Sequence, residues 1–292
     1  MQNFKKPTNL KHLSIKLLFV VSAFLVFSCS TAKKASESKK DTSALAKPPR
    51  KKPNKNDIKP YDKVITKDAK TDLGLFSVHK VNENYFYEIP DSLFEREMLM
   101  VTRISKTAAG LGFGGGKLSE QVLRWQKKDK KVLLRVVSHQ VVAADSLPVH
   151  EAVVNSNLEP VLYTFPIKAF SKDSMNTVID VTNLFTKDVK AIGFPQRRRT
   201  RYKISRLDPQ LSYIESLKSY PINVESRHVK TYAASSPPSN SNTSTITLEI
   251  NNSMILLPKV PMQRRIFDQR IGWFTSGQTD YGFSAQESKR VT

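Results

Sequence analysis

The side chains that most often bind metals or act as nucleophiles are sparse in this sequence of 292 residues. The chain has one cysteine and five histidines, which stand at positions 12, 79, 139, 150 and 228. Since no two histidines are three or four residues apart, the sequence offers no helical pair of imidazoles for a metal ion. A single cysteine also excludes an intramolecular disulfide and any metal site built from several cysteines.

The stretch HEAVV (150–154) begins like the helix motif of zinc proteases. That chemistry requires histidines at positions i and i+4 of one helical face, with a glutamate between them that activates water. Here the i+4 residue is Val154, and Leu147-Pro148 favours an extended approach to the segment. We therefore expect His150 to be a surface or half-buried histidine.

The run GLGFGG (110–115) has the G-x-G-x-x-G spacing of dinucleotide sites, in which glycines let the backbone approach a pyrophosphate. The residues that follow it, KLSEQVLRW, precede a β hairpin instead of forming a helix, and no acidic residue stands at a plausible ribose-binding distance. GGGK is followed by Leu118, which excludes a P-loop. The pattern favours a mobile glycine loop between strands, and a flap over a neighbouring site is the functional alternative.

The segment QRRRTRYK (196–203) is a dense basic cluster that could pair with phosphates. Apart from Tyr202 it has no aromatic residue on which bases could stack. We expect a solvated edge strand or loop, with an acidic partner surface as the functional alternative. Glu95 and Glu97 have the pattern of solvated charges, and the chain has no G-x-S-x-G nucleophile elbow, so no catalytic residue can be named.

The single cysteine stands where a lipoprotein requires it. Four lysines in residues 1–16 precede the apolar run LLFVVSAFLVF (17–27), which is the pattern of a signal peptide and is short of the roughly 20 residues of a membrane-spanning helix. VFSCS then places Cys29 after Ser28 and resembles the lipobox of bacterial lipoproteins. The resemblance implies export, lipidation of Cys29 and a lipid anchor in the cell envelope, and Ser30 fits sorting to an outer membrane. An ordinary cleaved signal peptide and an uncleaved anchor are the alternatives.

Residues 30–60 are rich in Lys, Ser and Pro, and they bury too little apolar surface to offset the entropy of ordering. We expect a disordered basic tether, which is either a solvated spacer or a segment whose lysines contact anionic headgroups. The net charge of +21 is uneven, with +4 in residues 1–29 and +7 in residues 30–60. This distribution indicates a basic leader and tether, and we expect no nucleic-acid partner.

From Tyr61 onward, short β-rich runs alternate with turns. Hairpins are predicted within 75–90, within 121–143 and between 161–170 and 176–181, and further strands over 99–104, 202–207, 223–233 and 243–257. A short helix is predicted over 182–190, capped by Thr182 or Asn183. The fold class is therefore mainly β (α+β with few short helices), with antiparallel sheets that are sandwich-like or strongly curved. We expect a small β-rich domain at 61–105, a larger one at 106–275 and a polar C-terminal segment at 276–292.

Five stretches of this folded part are distinctive together. They are KPYDKVIT, AKTDLGLFSVHKVNENYFYEIPDSLFEREMLMVTRIS, GGGKLSEQVLRW, SYIESLKSYPINVESRHVKTYAA and TLEINNSMILLPKVPMQRRIFDQRIGWF. They resemble the N-terminal region of a family of exported bacterial zinc-dependent metalloproteases of metzincin type, in which a small domain of unknown function and a larger β-rich domain precede the protease domain. The resemblance runs from about Lys59 to Thr292. The family's zinc-binding helix, H-E-x-x-H-x-x-G-x-x-H, lies beyond this run, so the resemblance assigns no metal or catalytic residue here and implies zinc only in a catalytic domain that this chain lacks.

The resemblance leads us to expect a truncated product or a split gene that ends before the catalytic domain. The chain would support or position a protease domain and help to bind its polypeptide substrate. Candidate interface residues toward that domain are Arg264, Arg265, Asp268, Arg270, Trp273 and Phe274. The alternative is a self-sufficient envelope module that binds glycan, peptide or lipid. The encoding DNA beyond Thr292 separates the two, because a protease-like sequence or its remnant is expected only in the first case.

Overall fold

The computed structural model describes residues 58–238, 242–263, 268, 270, 276–282 and 288–291, with only the backbone of 276 and 288–291. Five of the candidate site residues named above lie outside the described part of the chain, namely Cys29, Arg264, Arg265, Trp273 and Phe274. Within the described residues, no helix is long and apolar enough to cross a membrane.

The described residues form fourteen strands, four short α-helices and two short 3-10 helices. The strands are β1 (Lys70–Asp72), β2 (Ser77–Val81), β3 (Asn84–Pro90), β4 (Glu97–Thr107), β5 (Lys117–Lys128), β6 (Lys131–Val137), β7 (Val141–Val142), β8 (Val161–Phe170), β9 (Asn176–Asp180), β10 (Ile204–Ser219), β11 (Asn223–Ala234), β12 (Thr245–Leu256), β13 (Ser276–Asp280) and β14 (Ser288–Val291). The α-helices are α1 (Tyr61–Val64), α2 (Val149–Ser156), α3 (Thr182–Thr186) and α4 (Gln196–Arg201), and the 3-10 helices are Asp91–Leu93 and Lys190–Ile192.

Eleven strands form one sheet in the order β1-β2-β3-β9-β8-β6-β5-β4-β12-β11-β10, and every neighbouring pair is antiparallel. A small second sheet contains β13, which pairs with β14 in antiparallel and with β7 in parallel orientation. The mainly β, antiparallel fold predicted from the sequence is therefore confirmed. Strands of the two predicted domains share the large sheet, since β4 lies between β5 and β12.

The large sheet curls until its two edges meet. The Leu75 N–H donates a hydrogen bond to the Tyr220 carbonyl at 2.7 Å, and the Ser219 N–H donates to Asp72 Oδ2 at 3.1 Å. Gly74 lies at this contact, where a Cβ would be 2.5 Å from Ser219 Oγ and 2.6 Å from the Tyr220 nitrogen. Because real side chains do not approach backbone so closely, the contact requires glycine at this position. The sheet is thus strongly curved, which is one of the two forms that the sequence predicts.

The curled sheet encloses a core in which aromatic rings pack at tilted and edge-to-face angles. The fully buried indole of Trp125 has its centroid 6.1 Å from that of Phe76 and 5.5 Å from that of Phe165. A second cluster contains Phe194 and Tyr232, whose ring centroids are 5.4 Å apart. Since each buried aromatic side chain removes roughly 150–250 Å² from water, these rings supply much of the free energy that stabilises the fold.

The predicted hairpins are confirmed as β2–β3, β5–β6 and β8–β9. Helix α3 is present, but the predicted cap at Thr182 or Asn183 is wrong. Val181 is the N-cap residue, and the Thr182 N–H donates to Asp180 Oδ1 at 3.0 Å, so an upstream carboxylate satisfies the first free donor.

The approach to HEAVV is also different from the expectation. Pro148 has helical dihedral angles (φ −56°, ψ −29°) and precedes α2 directly, so the predicted extended approach is wrong. The physical reason is that the fixed φ of proline suits the first turn of a helix, where its missing N–H has no intrahelical partner to lose.

The basic cluster 196–203 forms helix α4 and not the predicted edge strand or loop. Arg199 is buried: its Nε donates to the Phe194 carbonyl at 2.8 Å, and its guanidinium pairs with Asp188 at 2.9 Å. The guanidinium also lies over the Tyr232 ring, 5.1 Å from the centroid. One arginine of the cluster therefore holds the segment between β9 and β10 against the sheet, which charge density alone does not reveal.

Two ionisable residues of β11, which are two positions apart in the sequence, point into the interior. His228 and Lys230 are fully buried. The Lys230 Nζ donates to the carbonyls of Lys187 at 3.1 Å and Ile192 at 3.5 Å. Burial lowers the pKa of Lys230 to about 7, against the opposing effect of the Asp188 carboxylate. Burial, with the nearby charge of Lys230, lowers the pKa of His228 well below its usual value.

The low pKa of Lys230 makes stability depend on pH. An unfolded lysine keeps its proton up to a pKa of 10.5, whereas the folded residue releases it near 7. The unfolded state therefore binds more protons between these values, and the free energy of unfolding rises with pH across this window. We expect this rise, measured by urea unfolding from pH 7 to pH 10, to be smaller in Lys230→Met by about 3 kcal/mol.

The matched control is Lys218→Met, on the exposed side of β10, which should keep the wild-type pH dependence. A wild-type slope in Lys230→Met would mean that Lys230 does not titrate in the folded interior.

Candidate functional site

A groove of about 770 Å³ lies on the outer face of the large sheet, between strands β5–β6 and the segment 138–160 that contains α2. Alternation along β5 creates its floor: Leu123 and Trp125 point into the core, so Arg124 points outward. Strand register then places Glu97 of β4 and Arg135 of β6 directly opposite Arg124. The floor of the groove is therefore a row of charged residues on three neighbouring strands.

Arg124 pairs with two carboxylates that are far apart in the sequence. Its guanidinium nitrogens lie 3.0 Å from Glu97 Oε1 and 3.3 Å from Glu159 Oε1, and all three side chains are about a quarter exposed (27%, 29% and 25%). His139 Nε2 lies 3.0 Å from the other oxygen of Glu97. The prediction that Glu97 is an ordinary solvated charge is therefore wrong, because the sheet register gives its carboxylate two partners.

Arg135 supports the floor of the groove beside Arg124. Its Nε donates to Gln126 Oε1 and its guanidinium donates to the Glu159 carbonyl, both at 2.7 Å. Both arginines of the groove thus contact Glu159, one through the side chain and one through the backbone. Such doubly bonded guanidinium groups have fixed orientations and present their remaining surface to the groove.

Helix α2 forms one wall of the groove. His150 is half-buried, as predicted from the sequence, and its Nδ1 lies 3.1 Å from the Ala143 carbonyl. Val153 and Leu158 add apolar surface. Within the part of the chain that the structure describes, no group of three His, Cys, Asp or Glu side chains could hold a metal ion.

The C-terminal segment pairs with residues 139–142, which line one side of the groove. The Thr279 N–H donates to the Gln140 carbonyl at 2.7 Å, and the Tyr281 N–H donates to the Val142 carbonyl at 2.9 Å, in the parallel pairing of β13 with β7. The Gln278 side chain donates to the His139 carbonyl at 2.6 Å. A segment more than 130 residues away in the sequence therefore lies against the chain next to His139, whose side chain contacts Glu97.

These features indicate a binding surface. Paired charges, amide groups and backbone carbonyls lie beside apolar valine and leucine side chains. An extended polypeptide offers the complementary groups, namely alternating amides and side chains. The His139–Glu97 pair could orient an imidazole for proton transfer, but the imidazole contacts Glu97 and the bond from Gln278 goes to the backbone carbonyl of His139, so neither contact joins the imidazole to a nucleophile.

A second polar network connects the N-terminal strands and was not predicted. Glu88 accepts hydrogen bonds from Tyr61 at 2.7 Å, His79 at 2.9 Å and Asn176 at 2.7 Å, and the His79 Nδ1 contacts the Thr71 hydroxyl at 2.8 Å. Burial acts to raise the pKa of Glu88, but these hydrogen bonds hold it below its usual value. Since the network joins α1, β1, β2, β3 and β9, we interpret it as a structural anchor of the N-terminal strands.

Two of the predicted interface residues are described. Arg270 and Asp268 form an ion pair with each other, with Nε 2.9 Å from Oδ1, and the Arg270 side chain is 88% exposed. The preceding residues 258–263 are all exposed, including Val260 and Met262. The predicted contact of this segment with another domain stays a prediction, as do the parts assigned to Arg264, Arg265, Trp273 and Phe274, which lie outside the described residues. The glycine run 110–115 lies in the loop between β4 and β5, as predicted.

Arg124 should be the residue that holds the floor of the groove together. In Arg124→Met, two partly covered carboxylates lose their countercharge, and we expect a loss of about 1–2 kcal/mol in the free energy of unfolding. The loss should shrink at high salt, because salt screens the repulsion that remains. Lys117→Met is the control, since it breaks an exposed ion pair with Glu120 and should change stability by less than about 0.5 kcal/mol. Equal losses in the two variants would contradict the role of Arg124.

Two family models match this chain. Residues 58–107 match a domain of unknown function, DUF5118, and residues 115–292 match a second domain of unknown function, DUF5117. Neither description states an activity. No curated protein and no solved structure gave a significant match. Because the second model covers more than half of the sequence, the chain belongs to the family defined by the domain of unknown function DUF5117.

Proposed function

We propose that this chain is the non-catalytic N-terminal portion of a lipid-anchored, zinc-dependent metalloprotease of the cell envelope. Its β-rich body supports or positions a separate protease domain and helps to bind polypeptide. The five distinctive stretches support this proposal, because they resemble the region that precedes the protease domain in such enzymes. The two consecutive family matches, a short one followed by a long one, agree with the small and large domains expected from that resemblance.

The observation that carries the proposal is the pairing of β13 with β7, because residues 139–142 line the charged groove. Hydrogen bonds of Thr279 and Gln278 to the segment 139–140 hold the C-terminal part of the chain beside Arg124 and its glutamates. A protease domain that follows this segment would begin close to the groove. A polypeptide bound in the groove would then be near the place where it is cut.

The anchor in this proposal is the acylated Cys29, which joins the membrane to the body through the basic tether. Zinc belongs to the separate catalytic domain, which would supply its own clustered ligands. A self-sufficient binding module of the envelope is the second candidate, because the groove is complete within the described residues of this chain.

A peptidase assay separates these roles. We expect the purified chain alone to show no hydrolysis of casein and no stoichiometric zinc by elemental analysis. Metal-assisted hydrolysis needs about three clustered protein ligands and an open position for water, whereas the five histidines of this chain are scattered. A known zinc protease serves as the positive control. Casein hydrolysis by this chain that a chelator abolishes would overturn the proposal.

The anchor can be tested by mass. The mature protein should begin at Cys29 and carry the added mass of acyl chains, and it should fractionate with membranes. In Cys29→Ser the thiol that accepts the lipid is absent, so the chain should keep its leader and carry no acyl group. Ser28→Ala, which keeps a small residue before the cysteine, should be processed normally. An unmodified Cys29 in the mature wild-type protein would contradict lipidation.

A further inference from the structure

The tip of the β5–β6 hairpin is the most densely basic turn in the described part of the chain. Lys128, Lys130 and Lys131 are exposed around Asp129, whose positive φ of 52° closes the turn. Within the described residues none of these three lysines forms an ion pair with a carboxylate. Lys127 differs, because its Nζ is bound to Asp91 at 3.1 Å and lies over the Phe170 ring. The tip therefore presents three unneutralised ammonium groups to its surroundings.

The N-terminal part of the body lies beside this tip. The Lys59 N–H donates to the Lys168 carbonyl at 2.8 Å, and the neighbouring Ile167 N–H donates to the Lys130 carbonyl at 3.0 Å. Lys59 is itself exposed. The residues that connect the body to the predicted tether thus meet the sheet at the strand next to the basic turn.

A second basic cluster lies at the opposite ends of the strands. Helix α4 leads into β10, whose first residue Ile204 pairs with Ala234 at the end of β11. The pairing continues from β11 through β12 and β4 to β5, and it places this end of the sheet at Lys117, the first residue of β5. The basic tip instead follows Lys128, which is the last residue of β5. Twelve residues of strand separate the two ends by about 40 Å.

We infer that the basic tip docks on the anionic lipid headgroups of the membrane that holds the anchor. The inference rests on the proposed lipid anchoring, and it adds an orientation to it. A tether fixed at Cys29 brings the Lys59 end of the body to the membrane, and the ammonium groups of Lys128, Lys130 and Lys131 complement the negative surface potential there. Each lysine near an anionic surface strengthens the association by about fivefold. The α4 end and the glycine loop 108–116 then face away from the membrane.

Lysine footprinting of the full chain tests this orientation. The chain is reconstituted into vesicles of phosphatidylcholine alone or with phosphatidylglycerol, briefly acetylated, and analysed by mass spectrometry. We expect acetylation of Lys128, Lys130 and Lys131, and of Lys59 beside them, to be about fivefold slower on the anionic vesicles. Exposed Lys203, beside α4, should react equally on both. Equal protection of Lys203 and the tip, or equal rates at the tip on both vesicles, would overturn the inference.

Charge reversal provides the second arm. In the triple variant Lys128→Glu, Lys130→Glu and Lys131→Glu, the protection of Lys59 on anionic vesicles should disappear, because the docking surface is gone. A triple variant of equal charge change at the other end, Arg197→Glu, Arg201→Glu and Lys203→Glu, should keep it. Loss of Lys59 protection in both variants would indicate attraction by net charge and would overturn docking through the tip.

The same spectra separate this inference from the proposed function. The mass of the N-terminal peptide reports whether Cys29 is acylated. An unmodified cysteine would contradict the lipid anchor, and in a chain that keeps its leader the apolar run would still bind the vesicle, so that the footprint of the tip would still decide the orientation.

Discussion

The approach of the two edge strands at Gly74 is the constraint on which the rest of the structure depends. Ser219 and Tyr220 occupy the space that a side chain at this position would need. Because the edges meet, the strands must bend around a single interior, and successive residues of each strand point either into a closed core or onto a convex outer face. This division buries Trp125 and turns its neighbour Arg124 toward the groove.

The closed interior also explains why charged residues are buried there. The segment between β9 and β10 covers the core, and its carbonyl groups need hydrogen-bond partners away from water. Lys230 supplies them from the sheet, and the Arg199–Asp188 pair braces the segment internally, with the Arg199 guanidinium over the Tyr232 ring of the sheet. Removing an ammonium group from water is costly, and the low pKa of Lys230 expresses that cost. The cover is therefore held by polar contacts, whereas the strands beneath it are held mainly by aromatic packing.

The sequence predicts the local parts of this structure well, because hairpins depend on short turns such as NEN and KKDKK and on alternation within a strand. It predicts poorly where distant residues decide the outcome. Helix α4 has the composition of a solvated segment, and it is the contacts of Arg199 with the Asp188 carboxylate, the Phe194 carbonyl and the Tyr232 ring that give Arg199 its place. The groove is a still clearer case, because Glu97 and Glu159 meet at Arg124 through strand register and chain crossing that no local pattern encodes.

The charge balance of the groove bears on how it would serve a protease. Arg124 is already shared by two glutamates, so a polypeptide carboxylate that binds it must compete with existing ion pairs, and a polypeptide amine that binds Glu97 must compete with Arg124 and His139. The net gain from each such exchange is small, since bonds are replaced and not added. Affinity would come instead from many weak contacts along an extended chain. A site of this kind releases its ligand easily, and under the proposed function this would suit a surface that passes polypeptide to a neighbouring catalytic domain better than one that stores it.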